Sequence, residues 1–295
     1  MIDRDKVRRS FARAARSYDG ADVLQAEVRD RLLERLDWVQ LQPKRILDLG
    51  TGTGAALPLL SARYPDAEVI GVDLSPAMLD LAAGRRVAAS EASSPMLACA
   101  DAARLPLPDA SVDLVFSSLV IHWSPDLDAV LAEVRRVLRH PGLFTFAVPG
   151  PGSYSELRRA WQAVDDLPHV MPFPEMRALG DGLIRAGLAE PVMDTDTITL
   201  RYREFRDLVA DLRATGTTNA ATGRRRGLTG RQEWAQLVAA YEKERDVDGR
   251  LPASFEVVCG QAWAPGEGRP GRRGAADEIS IPLQGIGRFP GTIPG

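Results

Sequence analysis

The stretch ILDLGTGTG at residues 46–54 and the segment GVDLS at residues 71–75 decide the fold of this 295-residue chain. Each begins as an apolar run typical of a buried strand, and the first ends in glycines at positions 50, 52 and 54. An apolar strand entering a glycine-rich turn, followed by a strand that ends in an acid, is how a Rossmann-like sheet binds an adenosine-bearing cofactor. The pattern predicts an α/β fold with a cofactor site at the turn, although a lone glycine cluster also fits an ordinary tight turn.

The glycine spacing and one acid indicate which cofactor the turn binds. The glycines follow a GxGxG pattern, and Ala55 stands where the GxGxxG pattern of NAD enzymes has its last glycine. Asp48 precedes the first glycine, and its carboxylate would repel the diphosphate of a dinucleotide. S-adenosylmethionine has no phosphate and carries a sulfonium and an ammonium, so a nearby acid favours it. We therefore expect S-adenosylmethionine at this turn.

Further acids follow the later strands. Asp73 ends the second strand, where a carboxylate accepts hydrogen bonds from both ribose hydroxyls. Asp101 follows the apolar run PMLACAD, where an acid or its neighbouring backbone can contact the adenine amino group. A single acid of this kind is more often a helix cap or a solvated turn, but acids in register favour the cofactor interpretation. The glycine run resembles motif I of class I methyltransferases, and the residues expected to bind the cofactor are Gln25, Asp48, Gly50, Thr51, Gly52, Asp73, Leu74, Met78, Asp101, Ala102 and Ser117.

Strand-like and helical segments alternate along the chain. The predicted strands are 44–49, 68–73, 95–100, 112–118, 142–148, 192–200 and 254–263. The predicted helices after the first strand are near 54–63, 76–86, 126–139, 155–167, 175–187, 203–213 and 230–245. Alternation of this kind predicts a mostly parallel sheet covered on both faces. The resemblance to class I methyltransferases implies seven strands, with the last strand antiparallel and next to strand six.

The same pattern divides the chain into parts. Residues 1–40 are expected to form an amphipathic helical lid, and residues 41–263 an S-adenosylmethionine-dependent methyltransferase domain. Within that domain, about residues 203–250 form a helical cap between strands six and seven. The Gly/Pro-rich tail at 264–295 is expected to be flexible or loosely docked, with one strand-like segment, EISIPL.

Composition limits the classes of function. The chain is 45% hydrophobic with a net charge of −3, so its bulk charge indicates neither a nucleic-acid nor a membrane partner. Cys99 and Cys259 lie in apolar runs and are expected to be buried thiols in a reducing compartment. The three histidines, at 122, 140 and 169, are too scattered for a metal site. The charged N-terminus lacks a signal peptide or membrane span, so we expect a cytoplasmic protein.

Four longer phrases narrow the class to a family. They are FARAARSYDGADVLQ at 11–25, SSLVIHW at 117–123, SELRRAWQAVDDLPHVMPF at 155–173 and LPASFEVVCG at 251–260. Together they resemble the BioC family, the malonyl-acyl-carrier-protein O-methyltransferases of biotin synthesis, over about residues 7–263. The departures are Thr51 and Thr53 in the glycine loop and the tail beyond residue 264. The resemblance implies methyl transfer to the free carboxylate of a malonyl thioester on acyl carrier protein.

That chemistry suits a chain without an evident nucleophile or His/Asp pair. A malonyl carboxylate is already ionised at neutral pH, so no general base is needed. The resemblance implies that Tyr18 lies over the cofactor methyl group and hydrogen-bonds the substrate carboxylate, although a packed aromatic explains Tyr18 equally well. Arg158 and His169 belong to the family-specific phrase and are expected to supply positive charge for the carboxylate, where the alternative is an ordinary surface or core residue.

Residues 201–231 hold eight arginines against three acids. A basic surface beside the active site would attract an acidic acyl carrier protein, although a solvated basic face is the plain alternative. RNA is a weaker interpretation, because no stacking aromatics interleave with Arg224, Arg225 and Arg226. Two other functions stay open: another small-molecule C- or O-methyltransferase, and a non-catalytic scaffold or cofactor sensor. We expect a monomer.

Overall fold

A computed structural model describes residues 1–85 and 96–266 of the chain. Two helices precede the sheet: α1 (Arg4–Tyr18) and α2 (Val23–Glu34), which continues as a short 3-10 helix. Asp3 caps the start of α1: its side chain accepts a hydrogen bond from the Lys6 amide and so satisfies one of the free amides of the first turn. Helix α1 buries Val7, Ala14 and Ala15 on one face, as expected for an amphipathic helix.

The remaining elements alternate as the sequence predicts. The strands are β1 (Arg45–Leu49), β2 (Glu68–Asp73), β3 (Met96–Cys99), β4 (Val112–Ser118), β5 (Leu138–Pro149), β6 (Ala189–Tyr202) and β7 (Leu251–Trp263). The helices after β1 are α3 (Leu57–Arg63), α4 (Pro76–Ala83), α5 (Leu127–Val137), α6 (Ser155–Gln162), α7 (Met176–Arg185), α8 (Phe205–Ala214) and α9 (Arg231–Tyr241). No helix among the described residues is both long and apolar enough to cross a membrane.

All seven strands join one sheet in the order β3-β2-β1-β4-β5-β7-β6. Strand β7 is antiparallel to both of its neighbours, and the other pairs are parallel, which confirms the predicted fold class. One face of the sheet packs a core with α5 and α7, and the other face packs a core with α2 and α3. Strand β1 lies near the middle of the sheet with both faces covered, which explains its continuous apolar run.

The direction of β6 fixes where the segment between β6 and β7 lies. Because β7 is antiparallel to β5 and β6 is antiparallel to β7, β6 runs parallel to β5. Strand β6 therefore ends on the side of the sheet where the carboxyl ends of the parallel strands lie. There Tyr202 pairs directly with Leu251 at the start of β7. The segment between β6 and β7, which contains α8 and α9, leaves the sheet and returns to it on this same side. Cofactor sites of open parallel sheets lie outside the same edge.

Several boundaries differ from those predicted. Helix α3 begins at Leu57, three residues after Gly54, whose φ of 81° is left-handed and does not fit a helix. Helix α6 ends at Gln162, shortly before the Asp165 side chain accepts the Leu167 amide in a turn. Cys99 is exposed, so the prediction of a buried thiol is wrong for it, because β3 is an edge strand with partial cover. Cys259 is buried as predicted. Residues 86–95 and most of the predicted tail, including EISIPL, lie outside the described residues.

The pairing of β5 with β7 places a glycine opposite a large ring. Gly260 pairs with Phe146, and a Cβ built on Gly260 would overlap that ring, which is fully buried and stacked on Phe144. A side chain at residue 260 therefore has no space unless the aromatic pair moves.

Replacing Gly260 by alanine should destabilise the fold by about 1–3 kcal/mol, as overpacked cores do. The measurement is the free energy of unfolding from denaturant titration. Gly227→Ala is the matched control, because a Cβ there meets nothing within 4 Å. In a Phe146→Leu background the cost of Gly260→Ala should shrink. An equal cost in both backgrounds would contradict the contact with Phe146.

Candidate functional site

The turn after β1 is fixed to the neighbouring strand by two amides. Gly50 N and Thr51 N both donate to the carbonyl of Val72 in β2, at 2.7 and 3.0 Å. Gly50 and Gly52 have φ of 78° and 55°, which is left-handed backbone that favours glycine. A Cβ on Gly50 would overlap Val120, whereas a Cβ on Gly52 would meet no atom within 4 Å. The backbone of Gly52 is thus open to close approach by a ligand.

A buried carboxylate, Asp48, and a half-buried one, Asp73, lie near the ends of β1 and β2. Asp73 accepts the amides of Gly52 at 2.9 Å and Ser75 at 2.8 Å, yet burial still raises its pKa. Asp48 accepts the hydroxyl of Thr51 at 2.6 Å. Burial raises the pKa of Asp48 to about 7 against the lowering effect of Thr51, and the charge of Asp73 adds to the rise. A ligand with positive charge would stabilise both ionised carboxylates.

A cavity of about 120 Å³, hereafter the cofactor cavity, opens beside this turn. Its wall includes eight of the sequence-predicted site residues: Tyr18, Gly50, Gly52, Asp73, Leu74, Met78, Asp101 and Ala102. Asp48 and Thr51 lie outside the wall and are buried. Ser117 is fully buried and donates to the Leu49 carbonyl, so the next residue, Ser118, lines the cavity in its place.

Helix α1 is held across the cofactor cavity at both of its ends. Arg4 forms an ion pair of 2.5 Å with Asp101, and Arg4 and Tyr18 both line the cavity. Beyond the other end, Asp19 accepts the hydroxyl of Thr53 at 2.6 Å and pairs with Arg85 at 2.6 Å. Sequence reasoning missed Arg4, Asp19 and Arg85. The only signal was the acid directly after Tyr18, which links the helix to the glycine loop.

A second cavity of about 250 Å³, hereafter the acceptor cavity, adjoins the cofactor cavity along α1. It shares four wall residues with the cofactor cavity: Phe11, Tyr18, Leu119 and Trp123. Most of its wall is aromatic or aliphatic and comes from the α6–β6 region, α8, α9 and the loops between them. Burial and the nearby carboxylates Asp22 and Asp73 raise the pKa of Tyr18, so its phenol stays protonated and can donate a hydrogen bond.

Two polar side chains in the acceptor cavity have buried atoms without a partner among the described residues. They are Gln25, through Oε1, and His122, through Nδ1. Gln25 was predicted as a cofactor residue, but it lines the acceptor cavity and not the cofactor cavity. Burial lowers the pKa of His122 to about 3, so the ring is neutral. His122 lies against Trp123 and Phe173, and sequence reasoning gave it no role.

The two predicted cationic residues occupy different places. His169 lines the acceptor cavity, stacks on Trp161 with ring centroids 3.5 Å apart, and has Nε2 2.7 Å from Asp165. Arg158 lines neither cavity, and its guanidinium donates to the Ser153 carbonyl at 3.4 Å. No three His, Cys, Asp or Glu side chains within 1–85 and 96–266 form a group that could hold a metal ion.

The arginines between 201 and 231 do not form one surface. Arg201 pairs with Asp246 and Asp248, and Arg206 pairs with Glu204. Four others, Arg213, Arg224, Arg225 and Arg226, line a polar cleft that adjoins the acceptor cavity. This second group is placed to contact a molecule that enters the acceptor cavity from the cleft.

Known proteins with this architecture define the class. A family model described as "Methyltransferase domain" matches residues 47–146, the span from the glycine turn to β5. A solved SAM-dependent methyltransferase from Thermotoga maritima has a TM-score of 0.51 at 15% identity, covering 88% of this chain and 100% of its own. The order of the strands, the glycine turn and the acids at the strand ends thus show that the chain has a class I methyltransferase fold.

Curated relatives define the family within that class. The malonyl-acyl-carrier-protein O-methyltransferase of Laribacter hongkongensis is 48% identical over 92% of this chain and 92% of its own length. The enzyme of the same name from Halorhodospira halophila is 45% identical over 97% of this chain and 96% of its own. The chain belongs to the malonyl-acyl-carrier-protein O-methyltransferase family.

The pKa of Asp48 gives a pH-dependent prediction for cofactor binding. A carboxyl with a pKa near 7 is mostly protonated at pH 6 and mostly ionised at pH 8, and a cationic ligand favours the ionised form. The affinity for S-adenosylmethionine should therefore rise roughly five- to tenfold from pH 6 to pH 8, measured by calorimetry. Asp48→Asn should bind more weakly and lose this rise.

The exposed Asp66→Asn variant is the control and should keep the wild-type pH dependence. Titration of the amino group of the ligand affects all variants alike and cancels in the comparison. A wild-type profile that matches that of Asp48→Asn would contradict the assignment of the titration to Asp48.

Proposed function

We propose that this protein transfers the methyl group of S-adenosylmethionine to the free carboxylate of a malonyl thioester carried on acyl carrier protein. The observation that carries the proposal is the wall shared by the cofactor cavity and the acceptor cavity, with the hydroxyl-bearing Tyr18 in it. The names and high coverage of the relatives support the acceptor. The resemblance to this family implies that the methylation serves biotin synthesis.

The residues of the cofactor cavity fit S-adenosylmethionine. The open backbone at Gly52 leaves space beside the turn, and the half-buried Asp73 has oxygens that can accept hydrogen bonds from ribose hydroxyls. Asp48 and Asp73 favour a ligand with positive charge over a diphosphate. When bound, S-adenosylmethionine supplies an electrophilic methyl group. Asp101 and Ala102 would lie at the adenine end, and Leu74 and Met78 line the same cavity.

The residues of the chain contribute position and a dry environment. Phe11, Leu119 and Trp123 keep water from the boundary of the two cavities, and charge neutralisation in the transition state is favoured where water is excluded. Tyr18 would hold one carboxylate oxygen of the acceptor by a hydrogen bond, which orients the other oxygen toward the methyl group. His169 is proposed to face the acceptor from the far side of the cavity. A role for Arg158 in binding the acceptor carboxylate stays a prediction, because Arg158 lines neither cavity.

A base is the feature that would favour a C-methyltransferase. The four residues shared by the two cavities include no carboxylate and no imidazole, and the neutral His122 is a weak base. This supports methylation of an acceptor that is already ionised.

The organisation of the chain is part of the same proposal. The helices within residues 1–40 would act as a lid, because α1 lines both cavities, and the segment 203–250 would act as a cap over the acceptor. We also propose that the protein works in the cytoplasm as a monomer, with acyl carrier protein and not nucleic acid or a membrane as its partner.

Acyl-group specificity tests the proposal directly. Purified protein with S-adenosylmethionine should methylate malonyl-acyl carrier protein, detected by mass spectrometry as a gain of one methyl group. The matched control is acetyl-acyl carrier protein, which lacks the free carboxylate and should not react. Comparing the rate with malonyl-acyl carrier protein to the rates with malonyl-coenzyme A and free malonate measures how much the carrier contributes. Methylation of the acetyl carrier, or of neither carrier, would overturn the proposed reaction.

Tyr18→Phe tests the role of the phenol. Turnover should fall roughly ten- to hundredfold, because a hydrogen bond to a charged oxygen is lost, while the affinity for S-adenosylmethionine stays near the wild-type value. Tyr64→Phe is the control, since its hydroxyl is also buried but lines neither cavity. Wild-type turnover in Tyr18→Phe would return Tyr18 to a packing role.

A further inference from the structure

The polar cleft beside the acceptor cavity has a strongly positive lining. It is hereafter the basic cleft, with a volume of about 700 Å³, and six cations line it together with the single acid Asp3. The cations are Lys6, Arg9, Arg213, Arg224, Arg225 and Arg226. They come from α1, from the end of α8 and from the loop before α9, so folding brings together charges far apart in the sequence.

Most of these charges are not neutralised. Arg224 pairs with Asp3 at 2.9 Å, and Arg225 pairs with Glu233 at 2.9 Å. Within residues 1–85 and 96–266, the other four cations of the cleft have no carboxylate within ion-pair distance. An anion in the cleft would therefore not have to displace existing partners of those four side chains.

Lys6 shows the positive field most clearly. Its ammonium donates to the hydroxyls of Ser10 at 2.9 Å and Thr218 at 3.3 Å, which are neutral partners. Burial lowers the pKa of Lys6, and the charges of Arg224, Arg13 and Arg9 lower it further, against a smaller opposing effect of Asp3. An anion bound here would relieve that repulsion.

The basic cleft is continuous with the acceptor cavity. Trp161, His169, Arg213 and Thr218 line both. A single extended molecule could thus place an anionic group in the cleft and an apolar portion in the cavity, with its far end near Tyr18.

We propose that the basic cleft binds the phosphodiester of the phosphopantetheine arm on which the acyl thioester is carried. The inference rests on the proposed function, because it takes the acceptor to be a carrier-bound thioester. The arm has its only formal charge at the phosphodiester and its thioester at the opposite end, which matches a cationic cleft leading into an apolar cavity. Arginine guanidinium groups and a lysine ammonium are the donors that bind phosphate oxygens most strongly.

The test compares two acceptors that differ only by a phosphate: malonyl-pantetheine and malonyl-4'-phosphopantetheine. In the wild-type protein, kcat/KM should be at least about tenfold higher for the phosphorylated acceptor. In Lys6→Met that ratio should fall toward one. Arg203→Met removes the same charge from the β6–β7 connection but lies outside the cleft, and it should keep the wild-type ratio. Arg226→Met is the second cleft variant should Lys6→Met fail to fold.

Binding measured without methyl transfer separates this inference from the proposed function. Calorimetry with unacylated 4'-phosphopantetheine and with pantetheine should show tighter binding of the phosphorylated compound, and Lys6→Met should abolish the difference. That result would stand even where no methyl transfer is found. Equal binding of the two compounds by the wild-type protein would overturn the inference. The inference would also be overturned if Lys6→Met reacted more slowly with malonyl-acyl carrier protein but kept the wild-type kcat/KM ratio of malonyl-4'-phosphopantetheine to malonyl-pantetheine. The cleft would then bind the acidic carrier surface and not the phosphate.

Discussion

The carbonyl of Val72 is the point on which the cofactor side of this structure depends. By accepting the amides of Gly50 and Thr51, it fixes the turn after β1 to the end of β2. The next residue of β2, Asp73, then reaches the Gly52 amide. Parallel pairing of β1 with β2 sets all of this geometry, because register places the ends of the two strands side by side. The cofactor cavity is the space that this arrangement leaves open.

Much of this half of the molecule could be predicted because its signals are local. Each buried parallel strand is an apolar run, and the residues that follow the strands gather at one edge of the sheet whatever the details of packing. One difference from the prediction in this half is an offset of a single residue. Ser117 and Ser118 point to opposite faces of β4, so placing the end of the strand one position off exchanges a cavity residue for a buried one. Cys99 was mistaken because an apolar run does not reveal that its strand is at the edge of a sheet.

The acceptor half was harder to predict, because its contacts join distant segments. His122 and Gln25 face one cavity from distant parts of the chain, and no sequence pattern indicates that they meet there. Arg158 belongs to a distinctive phrase, yet the face of α6 on which it lies turns it away from the cavity. The arginines between 201 and 231 are one cluster in the sequence but divide in space, since only some lie where the chain borders α1.

The pairing of Tyr202 with Leu251 has a consequence for how such proteins diversify. Since the connection from β6 to β7 departs from and rejoins the sheet at neighbouring positions, its length and composition are not constrained by strand register. Substitutions, insertions or deletions there can reshape the acceptor cavity while the paired strands and the glycine turn stay as they are. Changes confined to the connection from β6 to β7 can therefore alter which acceptor the protein prefers without altering its cofactor site.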